Sequence, residues 1–538
     1  MQKGNGDNVL NIDIYLHFCA RIHIDGIYNR TLMIKLETMK TKKTLLVALL
    51  GLASANMLAG GLFTNTNQNP IFFRQPAQNA IIGVQGAYYD PAGLVFMNEG
   101  LHFGLGEQMA FQTRTITSSY APFALNRESL GQAVNEYKGS TFAPVIPSLD
   151  LAYNKNRWAA SLHFGVVSGG GSCAFDDGLG SFEAPMALLP AAVNTLAGSQ
   201  IMGGYQADIN FTGKSFGFGG QFNYSYKVFD DDFLKLSVAA GIRLNYLKNQ
   251  YDGGIFNYQL YMNQMQSLLS AGTALQAVLS QILSAQMPAQ MAQQTAQGIA
   301  QQLGADKEVS CTQTGFAYTP VLNAHLQAGI VDLAVKYEFR TNVTLKNETD
   351  INSTGIAAYE DGVESRADMP ALLSTGINVN FLPTLRLAAA MNVYFDKDAD
   401  YNGRQELLGG NTLEWTAGLE YDLTDKLTMS LGTQITRFDF GENNGYLTDS
   451  SFSLPSWCLG GGFRYWFTDR LAIDLSAFNT FYDEAEKSYT DYGNAGATYA
   501  QKLEGILPAQ ALAALKVPGN DSFKRTSLNF ALGIVWDF

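Results

Sequence analysis

The sequence predicts an all-β protein, a fourteen-stranded antiparallel barrel that crosses a bacterial outer membrane. Three observations point there: an export signal, a long series of period-two segments joined alternately by tiny turns and long loops, and a C-terminal strand ending on Phe538.

The signal comes first in chain order. Met39 opens a run with Lys40, Lys42 and Lys43, followed by the apolar stretch 45–53 and small residues up to Ala59. A positive start, a short apolar middle and a small-residue exit make a secretory signal. The apolar stretch falls short of the roughly 20 residues that a membrane-spanning helix needs. Cleavage after Ala59 would leave Gly60 first, and cleavage after Ala55 would leave Asn56. Residues 1–38 then read as an upstream extension, 39–59 as the signal, 60–100 as an N-terminal segment and 101–538 as the barrel.

Beyond the signal no stretch is apolar enough for a transmembrane helix. Charged residues make up 15% of the chain while aromatics reach 12%. About a quarter charged is usual for a soluble domain, so this balance suits a barrel whose outward face alone is apolar. A net charge of −13 argues against nucleic acid as a partner.

The strand series follows. Tiny turns fall at 154–157, 229–232, 329–332, 382–384, 424–426 and 468–470. Long polar connections fall near 118–146, 169–213, 250–314, 346–368, 398–411, 440–450 and 485–523. Six short and seven long connections separate fourteen strands, and an even count puts both barrel ends on the periplasmic side. Within 234–246, Leu234, Leu236, Val238, Ala240, Ile242 and Leu244 alternate with Lys235, Ser237, Gly241, Arg243 and Asn245. Successive side chains of a strand point to opposite faces, so one set meets lipid and the other a polar lumen. In the last strand Leu528, Phe530, Leu532, Ile534, Trp536 and Phe538 form the apolar face. Its terminal Phe resembles the signal read by the barrel-assembly machinery.

The segment after the signal reads Gly60-Gly61-Leu62-Phe63-Thr64-Asn65-Thr66-Asn67-Gln68. It continues through Phe73-Arg74-Gln75-Pro76-Ala77, Tyr89-Asp90-Pro91-Ala92-Gly93-Leu94 and Ala110-Phe111-Gln112-Thr113-Arg114. With 335–341 and 382–386, these stretches resemble FadL-type transporters of long-chain fatty acids and other hydrophobic compounds. The resemblance implies that 60–100 folds into the lumen as a hatch, with Asp90, Pro91, Ala92 and Gly93 at its turn. Asp90 stands where that family usually has Asn. It further implies capture of ligand by outer loops, a site against the hatch, and lateral release through a break in the third strand, here 157–171. The run Ser168-Gly169-Gly170-Gly171 is easily bent there.

Candidate ligand residues follow from this chemistry. Arg243, Arg340, Arg386 and Arg464 fall on lumenal faces, and a guanidinium matches a carboxylate bidentately. The competing expectation pairs them with Asp150, Glu338, Glu414, Glu420 and Asp474 on the same face. In the loop 249–315 the period becomes helical, with Leu275, Val278, Leu279 and Ile282 on one stripe. That stripe is expected to meet a hydrophobic ligand, or else to pack on another loop such as 182–197 or 500–515. Cys173 and Cys311 are read as lying in long outer loops, where a disulfide would join them. His102, His163 and His325 lack metal-ligand spacing, and no nucleophile or zinc motif appears. The expectation is a monomeric, cofactor-free carrier surrounded by outer-membrane lipid. A general diffusion porin and a lipid-modifying enzyme are the alternatives.

Overall fold

The computed structural model describes residues 61–538, apart from 129–130, 286 and 505–508. The upstream extension, the signal and its cleavage sites lie outside the described residues.

Fourteen strands form the closed wall. They are β1 (Gly100–Tyr120), β2 (Val134–Lys155), β3 (Trp158–Phe175), β4 (Met202–Asp230), β5 (Leu234–Met262), β6 (Lys307–Ala328) and β7 (Val331–Glu338). The remainder are β8 (Leu372–Leu382), β9 (Leu385–Tyr394), β10 (Thr412–Thr424), β11 (Leu427–Arg437), β12 (Ser456–Thr468), β13 (Leu471–Tyr482) and β14 (Gly519–Asp537). Each pairs antiparallel with its neighbours, and β1 closes the cylinder against β14 from His102↔Asp537 to Tyr120↔Gly519. Short strands Thr344–Asn352, Glu364–Arg366 and Ala485–Tyr489 prolong this wall outward.

Alternation puts Ile242 and Leu244 outside and Ser237, Arg243 and Asn245 inside, as the sequence predicts. The tight turns between β2 and β3 and between β6 and β7 need left-handed backbone, supplied by Asn156 and Gly329. No helix among the described residues is long and apolar enough to cross a membrane.

The sequence reading needs two corrections. First, the strands outrun the membrane. β4 and β5 have 29 residues each, whereas roughly 9–11 suffice for a crossing. Residues 250–262 and 307–314, read as loop, continue the ladder, with pairs such as Gln250↔Thr312 and Asp252↔Ser310. Above the bilayer the apolar residues lie on the inner side, as at Tyr251, and change phase at the left-handed Asn257 before Tyr258, Leu260 and Met262, so the membrane alternation no longer marks the strand. Second, Cys173 and Cys311 are free thiols inside β3 and β6. They occupy one row, Cys173↔Gly213, Gly213↔Tyr251, Tyr251↔Cys311. Three strand spacings make about 14 Å, twice the roughly 7 Å that a disulfide tolerates.

Above the rim, helices α3 (Gly180–Ala197), α4 (Ala271–Ser284), α5 (Ala289–Leu303) and α6 (Ala495–Lys502) sit on the strand extensions. Two short helices, α1 (Pro70–Arg74) and α2 (Gly86–Tyr89), belong to the segment inside the barrel.

Candidate functional site

Nearly every residue from Gly61 to Val95 is buried in the lumen, so this segment is a plug. Helix α1 starts on Asn69, whose side chain accepts from the Ile71 amide at 3.0 Å, with Pro70 at the first position. That is a favoured helix start. Glycines on the inner wall make room for the plug. A Cβ at Gly106 would lie 2.3 Å from Pro70 Cδ, and one at Gly432 would lie 2.3 Å from Pro76 Cδ. At Gly460 it would lie 2.1 Å from the Phe73 carbonyl.

The turn at Asp90-Pro91-Ala92-Gly93 is held from three strands. Asn323 accepts from the Ala92 amide at 2.6 Å, while Ser225 and Ser237 hydroxyls donate to the Pro91 and Ala92 carbonyls at 2.7 and 2.6 Å. The Asp90 carboxylate meets His325 Nδ1 at 2.6 Å. The acid thus has a basic partner where an amide would have only a hydrogen bond. Gly93 is required by that approach, since its Cβ would fall 2.7 Å from the Asp90 carboxylate.

All four predicted arginines are placed, and three are consumed by carboxylates. Arg243 pairs with Glu338 at 2.6 Å. Arg386 chelates Asp422 at 2.6 and 2.8 Å. Arg464 chelates Asp474 at 3.0 and 2.8 Å. Arg340 lies half-exposed outside the buried layer, against Asp368 and the Asp398 carbonyl. The competing expectation holds for Arg243 with Glu338 and Arg464 with Asp474. Arg386 reaches the expected Glu420 only at 3.4 Å and is chelated instead by Asp422. Arg340, expected on the lumenal face, leaves it because β7 ends at Glu338. Sequence reasoning missed Arg74 on α1, which inserts from the hatch between Glu420 and Asp474 and locks the plug to this layer. It also missed Arg114 and Arg525. They stand directly opposite on β1 and β14, both turned inward, with Phe452 and Tyr482 rings beside them. Inward alternation of β1 and β14 was the signal that could have found them.

The wall itself is incomplete. β2 and β3 pair from Lys155↔Trp158 to Leu149↔Phe164, and again only at Ser140↔Ala174 and Gly139↔Phe175. Between these rows the ladder is open, while β3 stays paired to β4 with bulges at Val166/Ser168 and Gly169/Gly171. Edge carbonyls left by this break need donors, and the hatch supplies them. The Asn65 amide donates to Val167 O at 2.8 Å, and its side chain donates to Gly169 O at 2.7 Å. Gln68 Nε2 donates to Val166 O at 2.8 Å. Below, His163 joins Asp150 at 2.7 Å and Gln68 Oε1 at 3.2 Å. On the lipid side the break is flanked by aromatic rings, Phe111 against Phe142 and Phe164 against Phe218.

Over the mouth lies the largest apolar cluster among the described residues. Leu275, Val278 and Leu279 of α4 are buried there, and Ile282 is half-buried. They pack with Ala296 and Ile299 of α5, Leu188 and Leu189 of α3, and Tyr258 and Leu260 of β5. The three histidines hold hydrogen bonds to carboxylates, and no cluster that could hold a metal occurs among the described residues.

No family model matches this sequence, and no curated protein matches it. Solved structures do. A FadL homologue of Pseudomonas aeruginosa matches with a TM-score of 0.54 at 14% identity, over 90% of this chain and 100% of that one. The deltaS2S3 mutant of TodX, a monoaromatic hydrocarbon channel, matches at 0.50 and 14% identity, over 87% of this chain and 99% of that one. Its deltaS2 mutant also matches at 0.50, at 13% identity over 88% and 99%. The likeness is one of fold: a closed fourteen-stranded barrel of the FadL type.

Proposed function

We propose that this FadL-type barrel carries hydrophobic compounds, long-chain fatty acids foremost, passively across the outer membrane and releases them sideways into it. The break between β2 and β3 is the observation that carries the reading. A pore for hydrophilic solutes needs an intact wall and an open lumen. Here the lumen is plugged, and the single interruption of the β2–β3 ladder faces lipid between aromatic lips.

Capture begins in the apolar cluster over the mouth, where the α4 stripe of Leu275, Val278, Leu279 and Ile282 forms one wall. The stripe packs against α3 and α5, so a ligand reaches it only as these helices part. Arg114 and Arg525, opposite each other on β1 and β14 with Arg525 donating to Gln112 at 2.8 Å, exchange such contacts for a carboxylate head. Arg243, Arg386 and Arg464 serve instead as the anchored polar layer beneath. Movement of 65–68 away from β3 then uncovers the break, and a chain slides out between Phe142 and Phe164. The fatty-acid assignment rests on the arginine pair; the lipid-facing break supports apolar cargo in general. The TodX relatives named as hydrocarbon channels are consistent with that wider class.

The test uses proteoliposomes with oleate, toluene and arabinose. Thr141 follows the last upper paired row, next to Cys173, so Thr141→Cys allows oxidation to pin the break. Uptake of oleate and toluene without arabinose, lost on oxidation and recovered on reduction, is the expected result. Arabinose flux equal to oleate flux would make the protein a porin. Arg114→Leu should lower oleate uptake about tenfold and spare toluene, a pattern that separates head-group recognition from passage.

A further inference from the structure

The outward face of the barrel carries one feature that transport through the lumen does not use. Between a lower aromatic belt (Tyr153, Trp158, Tyr226, Trp536) and an upper one (Trp415, Trp457, Phe481), Glu107 is the sole carboxylate or cation turned outward among the described residues. It lies on β1 with Leu105 and Phe111 on the same face, opposite Leu532 of β14 and Pro147 of β2. Its Oε1 atom is shielded and has no hydrogen-bond partner. An ionised carboxylate at that depth is costly, and in the neutral acid the unpaired carbonyl oxygen still lacks the donor that would satisfy it.

The wall beside it is hollowed. A shallow, largely open depression of about 410 Å³ runs from Glu107 and Met109 across β14, β13 and β12. Phe530, Leu532, Leu475 and Phe463 form its sides, and Gly461 forms part of its floor. Ordinary acyl chains would fill such a groove, but they bring no hydrogen-bond donor to the middle of the membrane. A molecule that suits both parts has an apolar chain and one hydroxyl or protonated carboxyl group.

We propose that this groove is a lipid-side binding site for a membrane-dissolved single-chain amphiphile, with the donor on Glu107 and the chain along Leu475, Phe530 and Leu532. Its place relative to the break in the wall fits this. Pro147, paired to Glu107, belongs to the unpaired stretch of β2, so Glu107 sits one strand from the break at the same level. The site is independent of the direction or existence of transport, because it needs only the barrel in a membrane.

Photolabelling in proteoliposomes tests it. A diazirine-bearing hexadecanol should label β1 and β12–β14 several-fold more than a diazirine alkane of equal length. Glu107→Leu should reduce the alcohol to the alkane level, whereas Glu107→Gln should retain most of the difference. Leucine on a lipid-facing position suits the bilayer, and heat-modifiable mobility checks that each variant is folded. Equal labelling by alcohol and alkane would overturn the proposal, as would labelling unchanged by Glu107→Leu. Efficient disulfide cross-linking between two copies of Met109→Cys would also overturn it, making the groove a contact between barrels.

Discussion

At the scale of single residues, the hatch is held by charges that cannot find water. Asp90 and His325 are both fully shielded, and their 2.6 Å contact ties the hatch turn to β6. Removing Asp90 leaves His325 with Asp332 alone, 3.5 Å from its Nε2, so the loss falls below the roughly 3–5 kcal/mol of a buried pair broken outright. Asp90→Ala should therefore loosen the segment 86–96 while the wall stays intact, and Asp90→Asn, which keeps a hydrogen bond, should do so less. Amide exchange of 86–96 against that of β13 would read the difference; equal protection in Asp90→Ala and the parent would contradict the latch. A second buried acid lies outside the membrane. Asp396, in the outer connection after β9, is pushed up to about 6 by burial, against hydrogen bonds from Thr412 and Tyr401 that pull it down. Its folded pKa lies above the unfolded one. The stability it gives is thus full below about pH 4 and is lost as pH rises through about 6. The connection 395–412 should exchange more slowly at pH 4 than at pH 7 after correction for intrinsic rate. Asp396→Asn should flatten that dependence.

At the scale of elements, legibility followed the environment of each segment. Inside the bilayer one face of a strand meets hydrocarbon, and the turns and alternation of all fourteen strands could be read from that constraint. Outside it, 250–262 and 307–314 carry Gln250, Asp252 and Gln313 in a bulged ladder, and their apolar residues keep period two only in short runs of changing phase, such as Tyr258, Leu260 and Met262. The helical stripe of α4 was legible because its period is local, and its packing on 182–197, now α3, was one of the two readings offered; the contact with α5 was not foreseen, because nothing in the period of one helix names its neighbour. The arginines show the same limit. Alternation places Arg243, Arg386 and Arg464 on the inner face, but their neutralisation depends on which carboxylate stands opposite across strands. The hatch position came from resemblance, and the reason it fits is a set of small residues on unconnected strands. That reason yields a prediction. Gly432→Val would drive a side chain into Pro76, and Gly460→Val into the Phe73 backbone. Either should unseat α1 and raise leakage of small solutes, measured as liposome swelling, with the barrel still heat-modifiable. A valine at Gly220, where a Cβ meets nothing within 4 Å, should leave leakage unchanged.

At the scale of the whole molecule, closure is what turns these strands into a membrane protein. An open sheet would leave backbone donors and acceptors bare to lipid, each costing several kcal/mol, so the β1–β14 seam must form before the wall is stable there. That seam joins the first and last strands of the barrel, and its lower end is fixed by Phe538, whose amide donates to the Leu101 carbonyl at 2.8 Å. Trp536 stacks on the Phe538 ring at 4.5 Å between centroids, both on the lipid side. Phe538 itself is half-exposed, and its ring packs little of the interior. Its side chain should therefore matter more for delivery than for stability. If the terminal Phe is read by the assembly machinery, Phe538→Ala should lower the amount of folded barrel in the outer membrane several-fold. The same variant refolded from urea into detergent micelles should reach the parent's heat-modifiable form, with a thermal midpoint within a few degrees. An equal loss in both settings would assign Phe538 to the seam itself, since micelles contain no machinery to recognise it.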